Sequence, residues 1–163
     1  TVGNDLQPSL RTVLLKSFDK DGFVFYTNYS SKKGKQLEEN KKIALLFWYR
    51  EHERQIRIEG TVYKTARELN DVYFHSRPTD SQLAATISDQ SNIVPDRTYL
   101  DKLFQEKKEE FLDKEIPLKE DWGGYVVVPV LFEFWQGRTS RLHDRIQYTL
   151  IADDSWKMER LAP

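Results

Sequence analysis

The stretch IALLFWYREHERQIRIEGTVY, residues 43–63, predicts two β-strands and sets the fold class. Its first seven residues form an apolar and aromatic run that is typical of a strand. From Arg54 to Tyr63 polar and apolar residues alternate, so that Ile56, Ile58 and Val62 share one face. This alternation predicts a strand with one buried face.

Further strands are predicted on both sides of this stretch. The first lies within Arg11 to Phe18, and the others are Phe23–Tyr26, Tyr125–Val128, Leu131–Trp135, Arg145–Ile151 and Trp156–Leu161. A doubly wound sheet is disfavoured because strands and helices do not alternate regularly. The sequence therefore predicts a mainly β fold with helices, built on a closed or partly closed antiparallel barrel.

Helices are predicted at three places. Residues 30–42 are polar and rich in Lys and Glu, which indicates at most a short surface helix. Thr65–Glu68 has the form of a capping box, and Pro78 is expected to end the helix that follows. Asp96 is expected to cap another helix. The apolar stripe of that helix is Leu100, Leu103, Phe104, Phe111 and Leu112.

Composition limits the classes of function. A chain of 163 residues with 39% hydrophobic residues is predicted to form a single domain, residues 1–163. Lys plus Arg (25) nearly balance Asp plus Glu (26), which disfavours nucleic acid and anionic membranes as partners. The absence of cysteine and of a long apolar stretch predicts a soluble, cytoplasmic protein. The strand-like start leads us to expect a further segment upstream.

A cluster of cations and aromatic residues lies near the end of the chain. The run Glu133–Gly137 is followed after three residues by Arg141–Arg145, and the two runs contribute two arginines, a histidine and a tryptophan within eleven positions. Unpaired charge near an apolar run is costly, so this crowding indicates a ligand that is anionic and planar. The two-residue spacing of Arg141 and His143 lets both side chains point the same way from an extended segment.

Two further clusters are candidates for binding anions. Arg11 and Lys16 lie five residues apart, on opposite faces of a regular strand, and either contact two ligands or are solvated charges at the strand ends. Tyr26 and Thr27, together with the residues of Ser31–Lys33, could share a phosphate where a strand leads into a helix.

Tyr73, Arg77 and Ser81 are spaced by four residues, although Pro78 means that Ser81 must return by a turn. The alternative is a core tyrosine and an arginine that ends its helix. Metal binding is disfavoured because the three histidines lack ligand spacing and cysteine is absent. The nucleophile elbow of a hydrolase and the glycine motifs of dinucleotide folds are also absent from the sequence.

From about Pro8 to Pro163 the sequence resembles the pyridoxamine 5'-phosphate oxidase family. The matching blocks are Pro8–Arg11, Leu14–Lys16, Phe25–Asn28, Glu53–Gln55, Tyr73–Pro78, Asp80–Gln82, Gln90–Ser91, Trp122–Gly124 and Glu133–Arg145. The resemblance implies an FMN-binding split β-barrel and a homodimer with FMN at its interface. It also implies oxidation of pyridoxine or pyridoxamine 5'-phosphate to pyridoxal 5'-phosphate, with O2 reduced to hydrogen peroxide and ammonia released from the amine.

The resemblance also implies roles for individual residues. FMN contacts are implied for Arg11, Thr12, Val13, Leu14, Tyr26, Thr27, Lys32, Lys33, Gln55, Gln90, Ser91, Trp135 and Arg145. Substrate contacts are implied for Lys16, Tyr73, Arg77 and Ser81 around the phosphate. Arg141 and His143 are implied beside the pyridine ring as the catalytic pair.

Three positions depart from the usual family pattern. Thr12 stands where methionine is frequent, Ala84 stands where glycine is common, and Lys32 replaces an arginine with a point charge. The alternatives to an oxidase are a split-barrel protein that binds flavin or pyridoxal phosphate without turnover, and a flavin reductase with a nicotinamide donor. The set of residues around the substrate phosphate argues against the reductase.

Overall fold

The computed structural model describes residues 1–163, except for the side chain of Asp153. The described residues form seven strands, four α-helices and three short 3-10 helices. In chain order the strands and α-helices are β1 (Leu15–Asp19), β2 (Gly22–Asn28), α1 (Lys32–Glu39), β3 (Lys42–Tyr49), β4 (Arg54–Lys64), α2 (Arg67–His75), α3 (Thr79–Ile87), α4 (Arg97–Glu110), β5 (Trp122–Gln136), β6 (Asp144–Leu150) and β7 (Trp156–Arg160).

The strands form one antiparallel sheet in the order β1-β2-β5-β4-β3, and β6 pairs with both β5 and β7. Strand β5 has 15 residues and pairs with β2 through its first half and with β6 through its second half. It pairs with β4 over nearly its whole length. The register between β4 and β5 shifts at Glu59 and Gly60, which face Leu131 and Pro129. Val130 is therefore the extra residue of a bulge, where a proline is tolerated.

Two apolar clusters pack against this sheet, one on each face, and both include residues of β5. The first joins the strands to α1 and consists of Phe25, Leu37, Ile43, Val62, Tyr125 and Val127. The second joins β5 to the helical region and consists of Phe74, Leu83, Ile116 and Trp122. The helices α2, α3 and α4 are therefore held against the N-terminal end of β5.

Several sequence predictions are confirmed. The fold is mainly β with helices, and strands β3 and β4 lie where the apolar run and the alternation predict them. In β4 the side chains of Ile58 and Val62 are buried, as the alternation predicts. Asp96 caps α4 by accepting a hydrogen bond from the Tyr99 backbone N–H at 2.8 Å.

Other predictions are wrong. Tyr125–Val128 and Leu131–Trp135 belong to one strand, because the bulge bends β5 without ending it. Strand β1 begins only at Leu15, so the preceding residues from Arg11 lie outside the sheet. The apolar stripe predicted for α4 ends early, because the helix stops at Glu110 and Leu112 remains 75% exposed.

The helices before α4 also differ from the sequence prediction. Helix α1 is not a surface helix, since Lys33, Gln36 and Leu37 are buried. Thr65 does not form a capping box; Ala66 is the N-cap of α2, and the Thr65 hydroxyl donates to the Asn70 side chain. Helix α3 was not predicted at all. No helix among the residues described here is long and apolar enough to span a membrane.

Candidate functional site

A cavity with a volume of about 920 Å³ lies between residues 9–14, the end of β2, the start of α1, and helices α2 and α3. It collects fourteen of the residues to which the sequence assigns a ligand. They are Arg11, Thr12, Val13, Leu14, Lys16, Tyr26, Thr27, Lys32, Lys33, Tyr73, Arg77, Ser81, Gln90 and Ser91. We call this space the main cavity.

A buried lysine marks one end of the main cavity. Lys33 is 7% exposed, and its ammonium donates to the hydroxyls of Thr27 and Ser31 and to Gln90 Oε1 at 2.9 Å. None of these acceptors is a carboxylate. Burial, helped by the charge of Arg11, lowers the pKa of Lys33 to about 8. Because the ammonium is desolvated without a counter-anion, this end of the cavity is suited to an anionic ligand.

The backbone at this end adds to the positive potential. Ser31 is the N-cap of α1, and its hydroxyl accepts the Gly34 N–H at 3.2 Å. Lys32 and Lys33 therefore lie in the first turn of a helix whose N-terminus carries partial positive charge. Arg11 lines the same cavity, and its guanidinium donates to the hydroxyls of Thr1, at 2.6 Å, and Ser9.

A partly buried arginine, Arg77, lines the part of the main cavity next to helices α2 and α3. Arg77 Nη2 donates to the backbone carbonyl of Ser81 at 2.8 Å. Its Nη1 is buried and has no hydrogen-bond partner among the residues that the structure describes. An unsatisfied buried donor is costly, so Nη1 calls for an acceptor supplied by a ligand. The sequence predicts that a turn after Pro78 returns Ser81 to Arg77. In the structure, helix α3 begins directly after Pro78 and places Ser81 beside Arg77.

Stacked aromatic rings form the wall of the main cavity. The rings of Tyr26 and Tyr73 lie 3.9 Å apart at an angle of 21°, and the ring of Trp122 lies 5.4 Å from that of Tyr26. Trp122 lines the cavity, although sequence reasoning assigned it no role. The sequence signal that could have identified Trp122 is the pair of glycines that follows it. A Cβ at Gly123 would lie 2.2 Å from the Tyr29 hydroxyl oxygen, so glycine is required for this close packing.

A second cavity, of about 580 Å³, holds other predicted residues. Gln55 and Trp135 line it, together with His52, Arg138 and Asp144. The register aligns Gln55 with Trp135 and Trp135 with Arg145, in one row across β4, β5 and β6. Within the described part of the chain, this row and the pair Arg141 and His143 do not line the main cavity. The predicted cofactor contacts therefore fall into two separate groups.

The loop that carries Arg141 and His143 is not the extended segment that the sequence predicted. Ser140 and Arg141 have left-handed backbone conformations, with φ of 58° and 61°, so the expected alternation of side chains does not apply. The Arg138 backbone N–H donates to His143 Nδ1 at 3.1 Å. The imidazole of His143 lies 4.7 Å from the Trp135 ring. The loop thus fixes His143 against the second cavity's aromatic wall.

A buried carboxylate connects this region to the sheet. The side chain of Glu133 is 3% exposed and accepts from Arg57 Nη2 at 2.6 Å and from Arg145 Nε at 2.8 Å. The hydrogen bonds from Arg145, and then the one from Arg57, hold the pKa of Glu133 below its usual value against the opposing effect of burial. Sequence reasoning missed this role, because cross-strand pairing to Arg57 is not visible in the local pattern.

Two protein-family models match the chain. Residues 1–108 match the family model described as pyridoxamine 5'-phosphate oxidase. Residues 122–163 match the model described as the pyridoxine 5'-phosphate oxidase C-terminal dimerisation region.

Two curated relatives named pyridoxine/pyridoxamine 5'-phosphate oxidase are similar over nearly all of the chain. The protein from Christiangramia forsetii is 53% identical over 163 residues, which cover 100% of this chain and 76% of the relative. The protein from Trichormus variabilis is 53% identical over 159 residues, which cover 98% of this chain and 74% of the relative.

Two solved structures have the same fold. PhzG from Burkholderia lata 383, in complex with tetrahydrophenazine-1-carboxylic acid, has a TM-score of 0.93 and 30% identity, covering 100% of this chain and 79% of that one. A pyridoxamine 5'-phosphate oxidase-related, FMN-binding protein from Nostoc punctiforme has a TM-score of 0.80. It covers 100% of this chain and 85% of its own, but its 16% identity supports the fold alone.

The buried carboxylate generates a prediction about stability. Replacing Glu133 with Gln should lower the free energy of unfolding near neutral pH by about 3 kcal/mol, at the low end for a buried pair because both arginines remain about a third exposed. Since the folded-state pKa of Glu133 is lowered, the wild type should lose this stabilisation as pH falls below about 4.5, and Glu133→Gln should lack that part of the acid dependence.

Denaturant unfolding at fixed protein concentration over a range of pH measures both effects. Glu159→Gln is the matched control, because Glu159 pairs with Lys157 on the exposed strand β7. That control should change stability by less than about 0.5 kcal/mol. Equal effects of the two substitutions would contradict the structural role of Glu133.

Proposed function

Because the chain belongs to the pyridoxamine 5'-phosphate oxidase family, we propose that it oxidises pyridoxamine and pyridoxine 5'-phosphate to pyridoxal 5'-phosphate with FMN and O2. Hydrogen peroxide is the second product, and the amine substrate also releases ammonia. The observation that carries the proposal is that Lys33 and Arg77, two of the cations that line the main cavity, have no carboxylate partner among the described residues. Two phosphate groups, one on the cofactor and one on the substrate, satisfy both.

The residues at the Lys33 end fit the phosphate of FMN. Lys32 and Lys33 supply positive charge, Thr27 supplies a hydroxyl, and Arg11 lies on the same wall. The volume of about 920 Å³ is at the upper end of the range for ligand sites, which suits a cofactor and substrate together. When bound, FMN supplies the two-electron acceptor chemistry and the subsequent reaction with O2.

The residues around Arg77 fit the phosphate of the substrate. The free Nη1 of Arg77 is a charge-assisted donor, and the hydroxyl of Ser81, in the first turn of α3, is a further donor. Tyr73 and Lys16 line the same cavity. We assign these four side chains to the substrate phosphate.

The match to a dimerisation region supports a homodimer. We propose further that FMN binds between the subunits. Gln55, Trp135 and Arg145 then act from one subunit on the main cavity of the other. In a two-fold dimer the same contact occurs twice, so each main cavity is completed by a partner's second cavity. This arrangement accounts for the separation of the predicted cofactor contacts within one chain.

His143 is assigned a definite proton form. A backbone N–H can only donate, so the bond from Arg138 requires Nδ1 of His143 to accept. The neutral ring therefore carries its proton on Nε2 and presents a donor there. We propose that His143 Nε2 donates a hydrogen bond to the substrate and that Arg141 adds positive charge beside it. Both residues position the substrate, and neither acts as a base in this form.

The two alternative functions are less well supported. A binding protein without turnover has no need for both a substrate-phosphate set and the pair Arg141 and His143. The set of residues around the substrate phosphate argues against a flavin reductase with a nicotinamide donor. Relatives that are about half identical over the whole chain and named as oxidases favour the oxidase.

The reaction is tested directly with the FMN-loaded protein. Anaerobic pyridoxamine 5'-phosphate should bleach the flavin absorbance, and in air the pyridoxal 5'-phosphate chromophore should appear. Arg141→Ala should lower kcat/KM at least about tenfold, equivalent to about 1.4 kcal/mol, while FMN content stays near normal. Protein that retains FMN but is not bleached by either substrate would instead be a binding protein.

The shared site is tested by mixing two defective subunits. Lys33→Met alters the main cavity and Trp135→Leu alters the second cavity, so each homodimer should be inactive. Random reassortment of equal amounts should restore about one quarter of wild-type sites, because half of the dimers are mixed and each has one intact site. No recovery, despite subunit exchange confirmed by mass spectrometry, would show that each site lies within one chain.

The proton form of His143 is tested with two substitutions. The amide nitrogen of Gln approximates Nε2 and retains a donor, whereas Asn approximates Nδ1 and loses that donor. His143→Asn should therefore lower kcat/KM by about three- to tenfold more than His143→Gln, the range expected for one hydrogen bond. Nitrogen-15 chemical shifts of the wild type should show protonation at Nε2. A proton on Nδ1, or equal activity of both variants, would refute the assignment.

A further inference from the structure

One buried tryptophan touches both groups of proposed ligand contacts in the main cavity. Trp122 is the first residue of β5 and is 7% exposed. Its ring lies nearly parallel to those of Tyr26, which is assigned to the cofactor, and Tyr73, which is assigned to the substrate, at angles of 16° and 8°. Nothing in the proposed function gives Trp122 a task.

A charged side chain, Arg77, packs against this ring. The guanidinium carbon lies 4.9 Å from the centre of the Trp122 ring, within the range of a cation–π interaction. Nη2 is bonded to the Ser81 carbonyl, and Nη1 is left without a partner among the described residues. The indole therefore supports one face of the guanidinium, the Ser81 carbonyl fixes one edge, and the buried Nη1 remains as a donor for a ligand.

The packing around Trp122 keeps the ring itself in place. The ring of Phe74 meets it edge-on, at 5.2 Å and 72°. The two following glycines allow neighbours to close in, since a Cβ at Gly124 would lie 2.5 Å from the Thr65 hydroxyl oxygen. A ring held in this way is a rigid support. An arginine side chain that is already oriented loses less conformational entropy when it binds a phosphate.

We propose that Trp122 is a positioning residue that orients the guanidinium of Arg77 toward the substrate phosphate and thereby sets the preference for phosphorylated over unphosphorylated substrates. This inference rests on the proposed function. Trp122 acts through Arg77 and does not itself contact the reacting atoms. Its loss should therefore affect binding of the phosphate more than the chemical step.

The test compares Trp122→Leu and Trp122→Phe with wild type in the FMN-loaded protein. In Trp122→Leu the KM for pyridoxine 5'-phosphate should rise about two- to thirtyfold, the range of a cation–π interaction, while kcat stays within about twofold. Activity with unphosphorylated pyridoxine should not change. Trp122→Phe retains a ring face and should lie between the two. Trp156→Phe is the matched control, because Trp156 lies on β7 and does not line the main cavity.

A binding measurement gives a readout independent of turnover. Inorganic phosphate should bind to the FMN-loaded wild type, as measured by calorimetry, and more weakly to both Trp122 variants, by at least about twofold for Trp122→Phe. Unchanged phosphate affinity and KM in Trp122→Phe would overturn the proposal even if Trp122→Leu does not fold.

Equal losses of activity with the phosphorylated and the unphosphorylated substrate, together with loss of FMN, would also overturn the proposal. Such losses would indicate that Trp122 only supports the fold. If the wild type does not oxidise the phosphorylated substrates, the proposed function fails. The phosphate titration would still decide whether Trp122 orients Arg77.

Discussion

Strand β5 is the element on which both cavities depend. Its backbone is paired with β2, β4 and β6, and each of its residues except Val130 in the bulge has a partner on at least one of these strands. Trp122 at its start lines the main cavity, and Trp135 near its end lines the second. At about 3.3 Å per residue the path between them is roughly 40 Å, shortened by the bulge at Val130. One strand therefore holds the two cavities apart, and in the proposed dimer a second copy of the chain brings them together.

The two most deeply buried charges are treated in opposite ways. Glu133 receives hydrogen bonds from two arginines, which offsets its desolvation and makes it part of the sheet. The ammonium of Lys33 donates only to neutral acceptors, so its desolvation is not offset and the pKa of Lys33 is lowered. A fold that compensates one buried charge and leaves another uncompensated reserves the second for a ligand of opposite sign.

Sequence reasoning succeeded where the signal was local. The alternation in β4 and the cap at Asp96 each depend on residues within a few positions, and both are confirmed. It failed where the outcome depended on distant partners. Helix α3 was missed because Pro78 indicated only an ending, whereas in the structure Pro78 is the N-cap of the next helix. The burial of Lys33 depends on Gln90, 57 residues away.

The site residues show the same limit. The resemblance supplied fourteen residues that the structure gathers in the main cavity, yet it could not show how they are oriented. Trp122 stood in a matching block with no role, because a tryptophan before two glycines indicates close packing without naming the partner. The proton form of His143 depends on a backbone N–H five residues away, in a loop whose left-handed residues no periodic pattern predicts.

The ion pair between Arg145 and Glu133 is compatible with a role for Arg145 in binding the cofactor. A guanidinium has five N–H donors. Arg145 uses one on Nε and one on Nη2 for Glu133, and one on Nη1 for the Ala162 carbonyl. Two donors, one on each terminal nitrogen, remain for a ligand without breaking any of these bonds. The buried carboxylate thus orients the arginine and leaves its outer edge free, in the row with Gln55 and Trp135 that the proposed dimer turns toward FMN.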